Sequence, residues 1–250
     1  PLEQVVTRGA ELGVRNNYDT ENYNININAI GHFSQNSEDI LFVSSGTGLS
    51  SGYFKNFGKT NRLGFDLSLR AEKNKQKKGF QTSTINYSYL KATFQSAHTL
   101  PAANHPNGSN DIEAGDIIPG MPLHKINAKT TYVFNNKFNI SLGALGVTGV
   151  YLRGDESNQL NKTSKYLVFN LESKYQPTKN INVFARVDNI FDSKYETMGV
   201  LGEASSSEVN VPIKELGDIG SGDTAVGALD PNFLSPGQPI SFFIGTSIKW

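Results

Sequence analysis

Four histidines are the first residues with chemistry to offer, because an imidazole can ligate a metal, carry a proton or pack as a polar ring. His98 and His105 share one long connecting segment, where they are candidate contacts for a metal or a metal chelate. His124 opens a run of alternating residues, and His32 lies on the polar side of another. None has the neighbours that catalysis needs. The 250 residues contain no cysteine, which removes thiol nucleophiles, zinc–thiolate sites, iron–sulfur clusters and disulfides. Serines are plentiful, but no Gly-x-Ser-x-Gly elbow joins a strand to a helix. Asp218, Gly220, Gly222 and Asp223 have the outline of a calcium loop without its alternating oxygens or closing glutamate. The reading is therefore of a protein that is not an enzyme, with no resident cofactor and no metal site. Lys73, Lys75, Lys77 and Lys78 crowd one short turn as solvated charge.

Candidate binding residues need elements to hold them, and the sequence is explicit about those. Lys+Arg and Asp+Glu balance at 23 each, so nothing marks a nucleic-acid partner. With 26 Asn, 24 Gly, 15 Phe and 10 Tyr, the chain is too aromatic for disorder and rich in turn formers. Its dominant pattern is alternation of period two, which sends successive side chains to opposite faces of a strand. Leu63, Phe65, Leu67, Leu69 and Ala71 alternate with Arg62, Asp66, Ser68 and Arg70. Ile126, Ala128, Thr130 and Tyr132 alternate with Lys125, Asn127, Lys129 and Thr131. Leu167, Phe169 and Leu171 alternate with Asn170 and Glu172. Nine strands are predicted, over 3–15, 23–33 with a continuation toward 43, 60–72, 80–95, 123–134, 138–152, 165–175, 181–191 and 239–250.

The connections alternate short and long. Short ones fall at 16–22, 74–78, 135–137 and 177–180, and long ones at 44–59, 96–122, 153–164 and 192–238. In an up-and-down meander all short turns lie at one end and all long loops at the other, as in transmembrane barrels of the outer membrane. Most of the segments are long enough to cross, since about 9–11 tilted residues span the hydrocarbon core. Apolar faces would then meet lipid. The polar ones would point inward, because a charge at the bilayer midplane costs about 2–4 kcal/mol. Tyr87, Tyr89, Tyr132, Tyr166, Tyr175 and Trp250 are placed as an interfacial girdle. Arg62, Asp66, Arg70, Lys125, Asn127, Lys129, Asn170, Glu172, Arg186 and Asp188 are the candidate lumen-facing residues. Tyr53, Phe54, His98, His105, Arg153 and Asp155 are candidate ligand contacts on the long loops. The faces predict that Leu67→Arg or Phe169→Arg blocks membrane assembly and that Asn170→Arg is tolerated.

The C-terminal residues are more specific. Asn189-Ile190-Phe191-Asp192, followed by Tyr195 and Gly199, resembles the sequence near the end of TonB-dependent outer-membrane receptors. Asn56-Phe57-Gly58-Lys59-Thr60 followed by Gly64-Phe65-Asp66, and Pro119-Gly120-Met121-Pro122-Leu123-His124, resemble strand beginnings of that family. Gly245, Ile248 and Trp250 are spaced like its terminal assembly signal, although Phe243 stands where a polar residue is usual. The resemblance implies an all-β fold, the last nine or so strands of an antiparallel up-and-down transmembrane barrel of about 22 strands. It implies that 1–250 is the C-terminal portion of the barrel, with the N-terminal plug and earlier strands lying outside it.

By the same resemblance the protein imports a scarce solute, such as a ferric siderophore or other metal chelate, across the outer membrane of a Gram-negative bacterium. Its implied partners are outer-membrane lipid, the TonB system acting through the plug, the barrel-assembly machinery and the solute itself. Two other readings fit the alternation alone: a passive porin-like barrel channel, and a soluble extracellular β-sandwich that buries the apolar faces in its core.

Overall fold

The computed structural model describes residues 1–44, 52–73, 80–101, 109–135, 137–201 and 232–249, and every regular element among them is a β-strand. Nine strands form one antiparallel meander. They are β1 (Val6–Asp19), β2 (Tyr23–Ser37), β5 (Thr60–Lys73), β6 (Phe80–Phe94), β9 (His124–Asn135), β10 (Phe138–Val147), β11 (Tyr166–Thr178), β12 (Ile181–Asp188) and β15 (Ser241–Ile248). Each pairs with its predecessor in that order, and β1 and β15 are the two edges. All nine predicted strands are present, with ends displaced by a few residues.

Three of the segments predicted as long loops instead contain hairpins. β3 (Ile40–Ser44) pairs with β4 (Gly52–Asn56), β7 (His98–Pro101) with β8 (Ser109–Ile112), and β13 (Glu196–Leu201) with β14 (Asn232–Pro236). These strands are four to six residues long and interrupted by Gly, Pro and Ser, too short to display a period. The continuation of the second strand toward 43 is corrected as well. Glu38 has φ +54°, which ends β2 and turns the chain into a separate sheet. The strand predicted over 138–152 stops at Val147, and Val150 and Leu152 turn inward as core instead. β12 stops at Asp188 because Asn189 adopts φ +50°.

Register fixes the two faces of the sheet. One row runs across all nine strands: Tyr18, Ile25, Ala71, Ser83, Thr130, Leu142, Leu171, Val187 and Phe242. The adjacent row, on the opposite face, is Asp19, Asn24, Glu72, Thr82, Thr131, Ser141, Glu172, Arg186 and Phe243. On the apolar face the charged side chains are Arg8, Lys73 and Lys91, each within four residues of a strand end, and none is a carboxylate. No second sheet among the described residues packs against that face. Leu12 is 84% exposed, Ile244 82% and Phe242 73%, the reverse of what a β-sandwich requires.

Aromatic side chains band the apolar face at the tight-turn end: Tyr18, Tyr23, Tyr132, Phe134, Phe138 and Tyr175. Within the band Tyr132 and Phe134 sit edge to face at 4.7 Å, and Phe134 stacks on Phe138 at 5.3 Å. Two tyrosines predicted for such a girdle are elsewhere. Tyr87 lies mid-strand, opposite Leu67, and Tyr166 faces the polar side, its ring 4.3 Å from that of Tyr195.

The dry core is at the other end, among the long connections. Val43, Phe57, Ala92, Phe94, Leu100, Ile112 and Ile118 pack together beneath the first two hairpins, with Leu41 and Met121 against them. Phe57 and Phe94 meet at 5.4 Å.

Candidate functional site

All ten predicted lumen residues share the polar face of the sheet. They are brought together most closely on β9 to β12. Lys129 on β9 and Asn170 on β11 lie in one row with Gly143 between them on β10. With no side chain at 143, the row dips into a cavity of about 230 Å³ bordered by Asn127, Lys129, Glu172, Arg186 and Asp188. The gap also lets Lys129 reach past β10. Its Nζ donates to Glu172 Oε2 at 2.9 Å, and Lys174 Nζ donates to Glu172 Oε1 at 2.9 Å. Arg186 Nε donates to Asp188 Oδ2 at 3.0 Å, and its guanidinium covers the Phe243 ring at 4.6 Å. Phe243, the departure from the terminal pattern, thus has a cation to cover it. Further along the same face Arg70 pairs with Glu72, and Asp66 accepts from Ser88 at 2.5 Å and lies 3.6 Å from His32. Exposed pairs of this kind contribute little to stability. What they provide is a hydrated wall bearing both signs of charge, suited to polar solutes or to a polar protein surface.

The predicted loop contacts separate into surface and scaffold. Tyr53 and Phe54 on β4 are exposed, and Phe54 leans edge to face on Phe42 at 5.5 Å. His98 belongs to the scaffold. Its Nε2 lies 2.9 Å from Phe57 O and its ring packs on Phe57 at 5.2 Å. Asp155 is 0% exposed and accepts from the Gln159 and Leu160 amides at 2.9 and 3.1 Å, so its carboxylate shapes a loop instead of facing solvent. Arg153 presents an exposed side chain, while its backbone is bonded to Gly199 O and the Leu201 amide. His105, Trp250, Lys75, Lys77, Lys78 and the Asp218–Asp223 stretch lie outside the described residues.

Sequence reasoning missed the polar groups that lock the loops. Asn110 in the β7–β8 hairpin donates to Glu156 and to Gly154 O at 2.9 Å, and accepts from the Ser157 amide at 2.8 Å. Asn158 exchanges two bonds with the Ile117 backbone, at 2.6 and 2.9 Å. Burial pushes the Glu156 carboxyl above the ordinary range. At the first loop, Asp39 accepts from Thr60 at 2.5 Å and from Arg62 at 2.8 Å. Burial alone would raise the Asp39 carboxyl, but the Thr60 and Arg62 bonds outweigh it and hold it below the usual range. These are single polar residues in aperiodic segments, so no spacing betrays them.

The Asn189–Asp192 motif is a corner, and its residue types follow from that. Asn tolerates the positive φ that ends β12. The Asn189 amide donates to Ser193 O at 2.9 Å and Gln238 O at 3.0 Å, and its oxygen accepts from the Ser193 amide at 2.9 Å. Asn170 on β11 accepts from the Asn189 backbone at 2.8 Å, and Asp192 caps the Ile240 amide at 2.9 Å. Phe191 is turned to the apolar side, edge to face with Phe169 at 5.5 Å. Ile190 bonds back to Phe169 O at 2.9 Å. A Cβ on Gly199 would meet Leu152 and Leu234 within 3 Å, and one on Gly245 would enter the Phe184 ring. Ile248 lies on the opposite face from Gly245.

Residues 1–190 match the family model described as TonB dependent receptor-like, beta-barrel. A pesticin receptor of Yersinia enterocolitica is 29% identical over 109 residues, 41% of this chain and 16% of its own length. The ferric-catecholate import receptor Fiu of Escherichia coli K12 superposes with TM-score 0.63 at 14% identity, covering 99% of this chain and 28% of that one. The ferric yersiniabactin uptake receptor FyuA of Yersinia pestis gives TM-score 0.61 at 18% identity, covering 97% and 30%. The chain thus spans less than a third of the length of these relatives, and the structural likeness is one of fold. Members of the matched family are β-barrel receptors of Gram-negative outer membranes, not enzymes. The shared model over most of the chain, the meander and the two-faced register place this chain in the TonB-dependent receptor β-barrel family.

Proposed function

We propose that this chain forms part of an outer-membrane receptor that imports a scarce solute, a ferric siderophore or similar metal chelate, with energy delivered by TonB through a plug. The observation that carries the reading is the two-faced register: an apolar face with no carboxylate and an opposite face lined by paired charges. The first suits hydrocarbon and the second a watery interior holding a plug. The named relatives, a pesticin receptor and receptors for ferric catecholates and ferric yersiniabactin, support the solute class. The exposed Tyr53, Phe54 and Arg153 are the loop residues offered as first contacts, and the polar wall around Lys129 and Arg186 as the surface facing the plug or the passing solute. His98 and Asp155 serve by holding the loops in place. Import would work by differential binding between plug states, not by bond chemistry.

The test is uptake of radioiron-labelled siderophores by cells expressing the complete protein, with and without TonB. Uptake that requires TonB is expected. Equal uptake in its absence would overturn the reading in favour of a passive channel.

A further inference from the structure

The long connections pack as two halves that meet at one seam. The β3–β4 and β7–β8 hairpins share the loop core, where Val43, Phe57, Leu100 and Ile112 come together. Residues 153–158 go with β13 instead. The Arg153 backbone bonds to Gly199 O and the Leu201 amide, and a Cβ on Gly154 would stand 2.9 Å from that of Leu201. Across the seam, the buried Asn110 of the first half uses both ends of its amide on the second. It donates to Gly154 O at 2.9 Å and to Glu156, and accepts from the Ser157 amide at 2.8 Å. Nearer the sheet the halves are joined again, by Asn158 on the Ile117 backbone and by the Gly120 amide on Tyr151 O. None of the groups in those nearer bonds titrates.

Glu156 does titrate, and it is buried on the seam. Its carboxyl accepts from Asn110 and, at 3.0 Å, from the Gly154 amide, bonds that favour the carboxylate. Burial outweighs them, with the adjacent Asp155 charge acting in the same direction, and pushes the carboxyl up. The other charged or titratable groups on the surrounding elements are His98 on β7, Asp111 on β8, Glu113 and Asp116 in the turn after it, Glu196 on β13, and Arg153 and Lys162 on the Glu156 connection itself. None of them forms an ion pair with Glu156 among the described residues. No cation therefore balances Glu156 if it loses its proton while the seam is closed.

We propose that Asn110 and Glu156 form a proton-operated latch across this seam, shut while the Glu156 carboxyl carries its proton and released once it ionises. On release the 153–158 segment swings away from the β7–β8 hairpin and takes β13 with it through Arg153. The Asn158–Ile117 and Gly120–Tyr151 bonds stay in place as the hinge. The latch depends on the loop geometry alone and on no particular solute. Its sign follows from linkage. The shut form holds the proton more tightly than the open one, so acid favours the shut form. Between the ordinary carboxylate range and the raised one, each pH unit multiplies the open-to-shut ratio by about ten, and above the raised value the ratio levels off.

The test places spin labels on Thr99→Cys and Met198→Cys, exposed positions on the two halves, in the complete protein purified in detergent. Distances are measured by double electron–electron resonance in steps from about pH 4 to about pH 8, a range that brackets the ordinary carboxylate value. A single short distance is expected at the acid end, with a longer one gaining population as pH rises. Glu156→Gln cannot ionise, so its ratio of the two populations should not change with pH. Asn110→Ala should show the longer distance already at the acid end. Heat-modifiable migration checks folding of each variant. A wild type whose distance stays the same across the range overturns the latch. So does a folded Glu156→Gln that keeps the wild-type slope, or an Asn110→Ala that follows the wild-type curve.

Discussion

The nine-stranded sheet and the connections at its loop end bury their residues in opposite ways. Apart from Ser141, the described buried side chains lie in connections or within four residues of a strand's loop end. There Phe57 and Phe94 are 1% and 0% exposed, as in any water-soluble core. Along the sheet, Leu12, Ile244 and Phe242 stand open. One chain thus carries a closed core at its loop end and an apolar sheet face with nothing packed on it among the described residues. The loop end excludes water by its own packing, whereas the sheet satisfies its backbone through its ladder and leaves its apolar face open, as the proposed membrane setting requires.

If that contrast holds, the largest effects come from charging the open face. Leu67→Arg and Phe169→Arg should each cost about 2–4 kcal/mol of membrane assembly, read as loss of heat-modifiable protein in the outer membrane. The polar-face control should be Asn127→Arg, with assembly retained. Asn170 is a poor control, because its side chain accepts the Asn189 amide at 2.8 Å. Truncating the loop core comes next. Phe94→Ala should cost about 3–5 kcal/mol locally, seen as protease cleavage of the loops in protein that still inserts. Cleavage without any change would deny that the loops form a core.

Smaller effects sharpen the picture of the joints. Asn189→Ala strips three bonds from the corner and should cost about 1–3 kcal/mol, lowering the unfolding midpoint in detergent. Asn189→Gly relieves the positive φ but not the lost bonds, so it should recover only part of that. For Asp39 the folded carboxyl is held below its ordinary range, so its contribution is full at neutral pH and lost as pH falls through that range and below. Acidification should therefore loosen the first loop in a protease assay, and Asp39→Asn should flatten that response. Glu156 has the opposite sign. Its raised carboxyl binds its proton more tightly when folded, so its penalty grows as pH rises above the ordinary carboxylate range. The smallest change is expected at the wall. Lys129→Ala should shift stability by less than about 1 kcal/mol, because the pair it breaks is solvated.

The legibility of the molecule follows the same division. Strands such as 60–73, with five apolar residues strictly alternating against Arg62, Asp66 and Arg70, announce both their existence and their faces. Register then needed only the alternation to be in phase, and it is, across all nine strands. The loop end could not be read in that way. β7 and β8 are four residues each, and the bond from Asn110 to Glu156 joins positions 46 residues apart with no local signal. His98 and Asp155 have the residue types of a binding site, but the packing that occupies them depends on the tertiary fold. The Asn189–Asp192 motif was recognisable as a pattern, while its work as a corner tying β11, β12 and the start of β15 was visible only in three dimensions.

Lipid against the apolar face of this sheet and water against the other can be told apart along a single strand. These 250 residues hold no cysteine, so single cysteines can be placed along β5 from 65 to 70 in the complete protein without background from this chain. Membranes carrying each variant are treated with a charged, water-soluble maleimide. Labelling is expected at 66, 68 and 70 and protection at 65, 67 and 69. Uniform labelling, or the inverse alternation, would contradict it.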